Sequence, residues 1–244
     1  MTSILKADTI QDAAGNNIIN ENANTITIGA SGDTINVPSG ATLNINSGAT
    51  LANSGTATGF AGLNLILTQT LSGNVSSVDF INGTNGCVID STYEYYIVKF
   101  SGIRFDSQGG LAARIGTSGG FISASDYHNN EASLLSNGSD WALSQEETRD
   151  SIRITDRRYT NTTAGFSMSG EITFYNMSST SLYKSYQSVA AGWGNNANEG
   201  AYIIAGGSLE DSTSKGAAND RIQFLPLSAS NIASGSFTLY GVKK

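Results

Sequence analysis

Cysteine, histidine and proline are almost missing from this chain, and each scarcity narrows what it can be. Cys87 is the only cysteine in 244 residues, so no intrachain disulfide framework can brace the fold. Its neighbours Gly86, Val88 and Ile89 suit a small buried hydrophobe rather than a reactive thiol. His128 is the only histidine, which removes multi-histidine metal sets and leaves one imidazole for any acid–base chemistry. Charge is sparse at 14%, and 13 basic against 20 acidic residues give a net charge of -7. That sign repels phosphate, so neither nucleic acid nor an anionic membrane surface is an expected partner. No apolar run approaches the roughly 18 residues of a membrane-spanning helix, and no charged segment followed by an apolar stretch opens the chain. Membrane insertion and a cleaved secretion signal are therefore not expected. What is plentiful is 28 glycines with abundant Ser, Thr and Asn and 39% hydrophobic residues, the composition of a turn-rich all-β protein with little helix.

An eight-residue cadence runs near the N-terminus: Ser31-Gly32-Asp33-Thr34, Ser39-Gly40-Ala41-Thr42 and Ser47-Gly48-Ala49-Thr50 recur at intervals of eight. Each turn precedes a strand-like run, Thr34–Val37, Thr42–Ile45 and Thr50–Leu51, with a looser precursor at Thr25–Ile28. Alternation puts Ile26/Ile28, Ile35/Val37, Leu43/Ile45 and Leu51 on one face. A single-chain β-solenoid needs about three or more coils, each of roughly 20 residues, to bury a continuous core. This segment is too short, so other chains must complete the core. The expectation is a homotrimer whose copies intertwine about a common axis.

Three regions follow. Residues 1–24 hold a small hairpin, Thr9–Gln11 and Asn17–Ile19 about Ala14-Gly15-Asn16, which reads as a docking segment. Residues 25–59 are a β-repeat shaft and hinge, the hinge being the small-residue stretch Ala52–Gly59. Residues 60–244 carry a series of strand-like runs between Gly, Ser and Asn turns: 63–71, 75–81, 93–100, 111–115, 121–127, 151–154, 166–177, 186–191, 202–205, 221–227 and 237–242. These imply a β-sandwich head, jelly-roll-like.

The C-terminal Asp220-Arg221-Ile222-Gln223-Phe224 and the run Ser230 to Val242, with Leu239-Tyr240-Gly241, resemble the ending of β-sandwich modules in tail fibres and tail-associated structural proteins of tailed bacteriophages. Leu111-Ala112-Ala113-Arg114-Ile115-Gly116-Thr117-Ser118-Gly119-Gly120 with Ser125-Asp126-Tyr127 resembles the strand-turn-strand core of the same module. Ser3-Ile4-Leu5-Lys6-Ala7-Asp8-Thr9-Ile10-Gln11-Asp12 resembles the opening of many tail-fibre proteins of marine and cyanobacterial phages. The resemblance implies a trimeric virion fibre or spike, made in the host cytoplasm. Its N-terminal segment would dock on a tail or neck protein, and its head would recognise a host-surface receptor, a glycan or lipopolysaccharide. A capsid or neck decoration fibre and a polysaccharide depolymerase spike are the alternatives.

No catalytic set stands out, and no cofactor is expected. Gly116-Thr117-Ser118-Gly119-Gly120 matches G-x-S-x-G, but a nucleophile elbow needs a helix after the turn and a strand follows here, so a hairpin turn is the reading. Asp126 and His128 could share a strand face as an acid–base pair, yet Asn129-Asn130 afterwards favours an exposed strand end or loop. Asp126, His128 and Glu131 have no recognised ligand spacing, so no metal site is expected. Glu146, Glu147 and Asp150 form the densest acidic cluster, the natural place for the two carboxylates of a glycosidase. Within Ser144–Asp150 they read as a solvated turn compensated by Arg149 and Arg153. Arg153, Arg157 and Arg158 are interleaved with Asp150 and Asp156, as on a solvated face or in intersubunit ion pairs.

Two loops combine an aromatic ring with amide side chains, the mixture that packs on the C–H faces of a sugar and bridges its hydroxyls. The first runs from His128 to Ser144 with Asn129, Asn130, Asn137, Asp140 and Trp141. The second runs from Gly192 to Gly200 with Trp193, Asn195, Asn196 and Asn198. Trp193, Asn195, Asn196, Asn198 and Trp141 are the expected carbohydrate-binding residues. A competing reading has each indole capping the sandwich core.

Overall fold

The computed structural model describes residues 9–11, 17–22, 25–28, 32–46, 62–135, 142–155, 167–193, 200–209 and 217–243, and every regular element in them is a β-strand. Backbone proximity divides the chain into two units, residues 1–58 and 59–244.

In the first unit β1 (Thr9–Gln11), β2 (Asn17–Asn22) and β3 (Thr25–Ile28) form an antiparallel sheet in that order. The expected hairpin is the β1–β2 pair. Thr25–Ile28, read as a precursor of the repeat, pairs with β2. Register sets Ile10 opposite Ile19 and Ile19 opposite Ile28, an isoleucine row across all three strands. Gly32 and Gly40 take positive φ of 95° and 83°, the left-handed geometry that lacks a Cβ penalty only for glycine. Ala41 N donates to Pro38 O at 3.0 Å to close the second turn. The turns thus keep their eight-residue spacing, but the strands expected between them do not form: Thr34–Val37 and Thr42–Ile45 make no ladder. An extended segment becomes a strand when a neighbour's backbone satisfies it, and no described segment of the chain lies alongside. All of residues 32–46 are exposed. The third repeat, Ser47–Leu51, and the hinge lie outside the described residues.

Among the described residues the second unit contributes thirteen strands. They are β4 (Leu63–Leu71), β5 (Val78–Ile81), β6 (Tyr95–Phe105), β7 (Leu111–Thr117), β8 (Gly120–Phe121), β9 (Tyr127–Leu135), β10 (Ala142–Arg149), β11 (Ile152–Arg153), β12 (Met168–Tyr175), β13 (Lys184–Trp193), β14 (Gly200–Leu209), β15 (Arg221–Pro226) and β16 (Ile232–Val242). Eight join in the order β10-β9-β14-β13-β12-β6-β16-β4, and a second sheet runs β11-β7-β15-β5 with β8 paired to β7, all antiparallel. The larger sheet alone holds eight strands, the number a jelly roll divides between two sheets.

Period-two alternation explains the core. Tyr96, Val98 and Phe100 of β6, Ile172 and Phe174 of β12, and Phe237 and Leu239 of β16 point inward from the large sheet, and Val78, Phe80, Ile222 and Phe224 from the small one. The two sets of rings meet across a sandwich-like interior, with Phe224 and Phe237 4.8 Å apart. Cys87 belongs to this cluster, and burial pushes its thiol up to about 11.

The Gly116–Gly120 segment is the β7–β8 hairpin, Thr117 opposite Gly120 around Ser118-Gly119. Three expectations fail nearby. The 121–127 run is broken, since β8 ends at Phe121 and β9 begins at Tyr127. The stretch from His128 to Ser144, read as a loop, is mostly the β9–β10 hairpin, and the expected turn Ser144–Asp150 is largely β10. The signal is absent because β9 turns Asn129, Glu131 and Ser133 to the interior, inverting the usual alternation of apolar in and polar out.

Candidate functional site

The large sheet gathers two hairpins side by side. β9–β10 and β13–β14 adjoin through the β9–β14 ladder, which pairs Leu135 with Ala201, while Trp193 pairs with Gly200. The connections 136–141 and 194–199 therefore leave from the same end of the sheet. Strands lie about 4.8 Å apart, so the backbone positions of Trp193 on β13 and Leu135 on β9 are about 10 Å apart. Of the residues expected to bind carbohydrate, Trp193 ends β13; its side chain, and Trp141, Asn195, Asn196 and Asn198 entirely, lie outside the described residues. Asn137 and Asp140 lie outside them too.

Asn129 has a different role from the surface contact its sequence context suggests. It is buried, its Nδ2 donates to Ser151 O at 3.1 Å, and its Oδ1 accepts from Arg153 N at 3.0 Å and from the Tyr186 hydroxyl. That hydroxyl also lies 2.6 Å from His128 O. Gly207 makes the approach possible, because a Cβ there would meet both His128 O and the Tyr186 hydroxyl. Burial raises the Tyr186 phenol well above its ordinary range. Asn129 thus ties β9, β13 and the β11 segment together beneath the face that Asn130 exposes.

On the outer face of the same sheet a shallow depression of about 160 Å³ is lined by Glu171, Thr173, Gln187, Ser188, Val189 and Ile204. Glu171 pairs with Lys99 at 3.5 Å across neighbouring strands. Such a mixture can receive hydroxyls and an apolar surface. Sequence reasoning missed it because β12, β13 and β14 are brought together only by pairing.

Asp126 precedes β9, and His128 is its half-buried second residue. Asp150 is held by Arg114, Nη2 to Oδ2 2.7 Å, and by Ser151 Oγ at 3.1 Å. Asp150 thus has a cation from β7, 36 positions upstream. The side chains of Glu146 and Glu147 lie outside the described residues. Among the described residues no three of His, Cys, Asp and Glu gather as a metal ion would require. Lys184 is buried, its Nζ donating to Ser179 O at 2.6 Å, and desolvation lowers its pKa. Tyr127 and Tyr96 are core phenols, raised chiefly by burial.

No family model matches the chain, and no match is found among curated proteins or among solved structures.

Proposed function

We propose that this chain is a virion structural protein of a tailed bacteriophage, a homotrimeric tail fibre or spike. Its N-terminal segment docks on a tail or neck protein, and its C-terminal head adheres to a host-surface glycan or lipopolysaccharide. The observation that carries the trimer is the exposure, within one chain, of Ile10, Ile19, Ile26, Ile28, Ile35, Val37, Leu43 and Ile45. An apolar series of this kind along a short repeat is stable in water once identical copies cover it. Adhesion is supported by the two hairpin connections that leave one end of the large sheet, one with Asn137 and Trp141 and the other following Trp193 with Asn195, Asn196 and Asn198. Three identical heads bind a repetitive surface with avidity, so shallow sites suffice. Residues 1–24 form the attachment segment, the repeat forms an intertwined shaft, and the sandwich head follows.

The test is binding of the purified full chain to host cells and to their isolated surface polysaccharide, together with immunogold imaging of particles. The reading requires saturable binding without cleavage and label at the distal end of a tail appendage. Label at capsid vertices or collar would replace it with a decoration fibre, and new reducing ends in the polysaccharide would replace it with a depolymerase.

A further inference from the structure

The face of the large sheet turned away from the core is apolar where the interior does not require it. Register places Ile204 opposite Val189 on one side and Ala132 on the other, and Tyr202 opposite Ala191 and Leu134. Leu134, Val189, Tyr202 and Ile204 are 42%, 37%, 43% and 42% exposed. Four rows of residues, in register across β9, β14, β13, β12, β6, β16 and β4, make up the middle of this face. The only Lys, Arg, Asp or Glu in them are Lys99 and Glu171, which neutralise one another. Leu63 and Leu65 close the far edge of the same face, again exposed.

We propose that this face, centred on Val189, Tyr202 and Ile204, packs against a second copy of the chain. The charge distribution selects that occupant. Each copy carries a net charge of -7, so on balance its surface repels another copy, and the middle of this face, where the charges of Lys99 and Glu171 cancel, is where identical acidic chains approach at least cost. A charge-depleted centre with an exposed tyrosine is also the composition of an interface core. Ala132, Leu134, Val189, Ala191 and Ile204 give that centre an aliphatic surface, with Glu171, Thr173 and Gln187 only along its border. The contact rests on the self-assembly proposed above but uses the head, not the repeat.

Thiol labelling of the full chain reads the face directly, because buried Cys87 contributes little background. Ile204→Cys and Thr84→Cys, the latter in an exposed turn following β5, are treated with a maleimide at micromolar protein while light scattering reports the mass. The expectation is at least tenfold slower labelling at position 204 than at position 84, with the protection lost on dilution to single chains. Val189→Cys reads the same face if Ile204→Cys impairs assembly. Equal labelling rates in a protein that still weighs three chains would overturn the inference and leave the repeat-driven trimer intact. A monomer with both thiols reactive would overturn both. Labelling that is fast in the trimer and slows only on adding surface polysaccharide would assign the face to the glycan instead.

Discussion

Phe224 of β15 and Phe237 of β16 lie with ring centroids 4.8 Å apart and planes inclined by 36°, one from each sheet of the head. Phe80 meets Phe224 edge-on at 6.4 Å and Phe100 meets Phe237 at 6.3 Å, so four rings connect the sheets through this one contact. Phe237→Ala should cost about 3–5 kcal/mol, the usual loss for a buried phenylalanine. Urea unfolding measures it, and a loss below about 1 kcal/mol would mean that the interior closes without this pair.

Asn129 separates a structural role from a receptor role in the same sequence stretch. Asn129→Ala leaves Ser151 O, Arg153 N and the Tyr186 hydroxyl without their amide partner, a cost of about 1–3 kcal/mol for each buried group left unsatisfied. The expected outcome is a lowered melting temperature with cell binding per folded trimer unchanged. Gly207→Ala, which drives a methyl group into His128 O, should mimic it.

Asp106 makes the head acid-sensitive in a defined window. Asn231 N donates to its Oδ1 at 2.8 Å and Asn231 Nδ2 to its Oδ2 at 2.7 Å, and these bonds, the backbone one first, hold the carboxyl below its ordinary range. A depressed carboxyl contributes stability that is full above the unfolded value of about 4 and is lost as pH falls through the lower folded value. Asp106→Asn should therefore flatten the decline of stability below pH about 4. An unchanged slope in acid unfolding would show that the pairing carries no such contribution.

Trp193 ends the strand from which one candidate loop departs. If it contacts the receptor, Trp193→Ala weakens host-cell binding by about 1–3 kcal/mol per site, as at aromatic anchors, while the melting temperature barely moves. A core indole would instead cost about 3–5 kcal/mol of stability. Trp141→Ala makes the same comparison for the neighbouring loop.

Several strands of the head were legible from their apolar alternation: Leu63–Leu71 is β4 to the residue, β12 and β15 lie within their expected runs, and β6 and β16 overlap theirs but extend to Phe105 and back to Ile232. β9 and β10 were not, because polar Asn129, Glu131 and Ser133 face inward and the partners that satisfy Asn129 lie 22 to 57 positions away. The repeat's turns were legible from Gly32 and Gly40, whereas the strands expected between them pair with no described segment of the chain. The end of the sheet that carries both candidate loops could be anticipated only as two separate segments, since the β9–β14 ladder that joins them pairs residues with no local signal. The charge-poor middle of the outer face was likewise hidden, being assembled from seven strands scattered from Leu63 to Val242.

The central claim is that the exposed aliphatic series of the N-terminal unit is covered by identical chains. Light scattering or native mass measurement of the full chain at micromolar concentration tests it most directly. The account predicts a mass of three chains, and it predicts dissociation on Leu43→Asp, which sets a charge among side chains that other copies must bury. A stable, fully folded single chain at that concentration, or a Leu43→Asp variant that assembles like the parent, would contradict it.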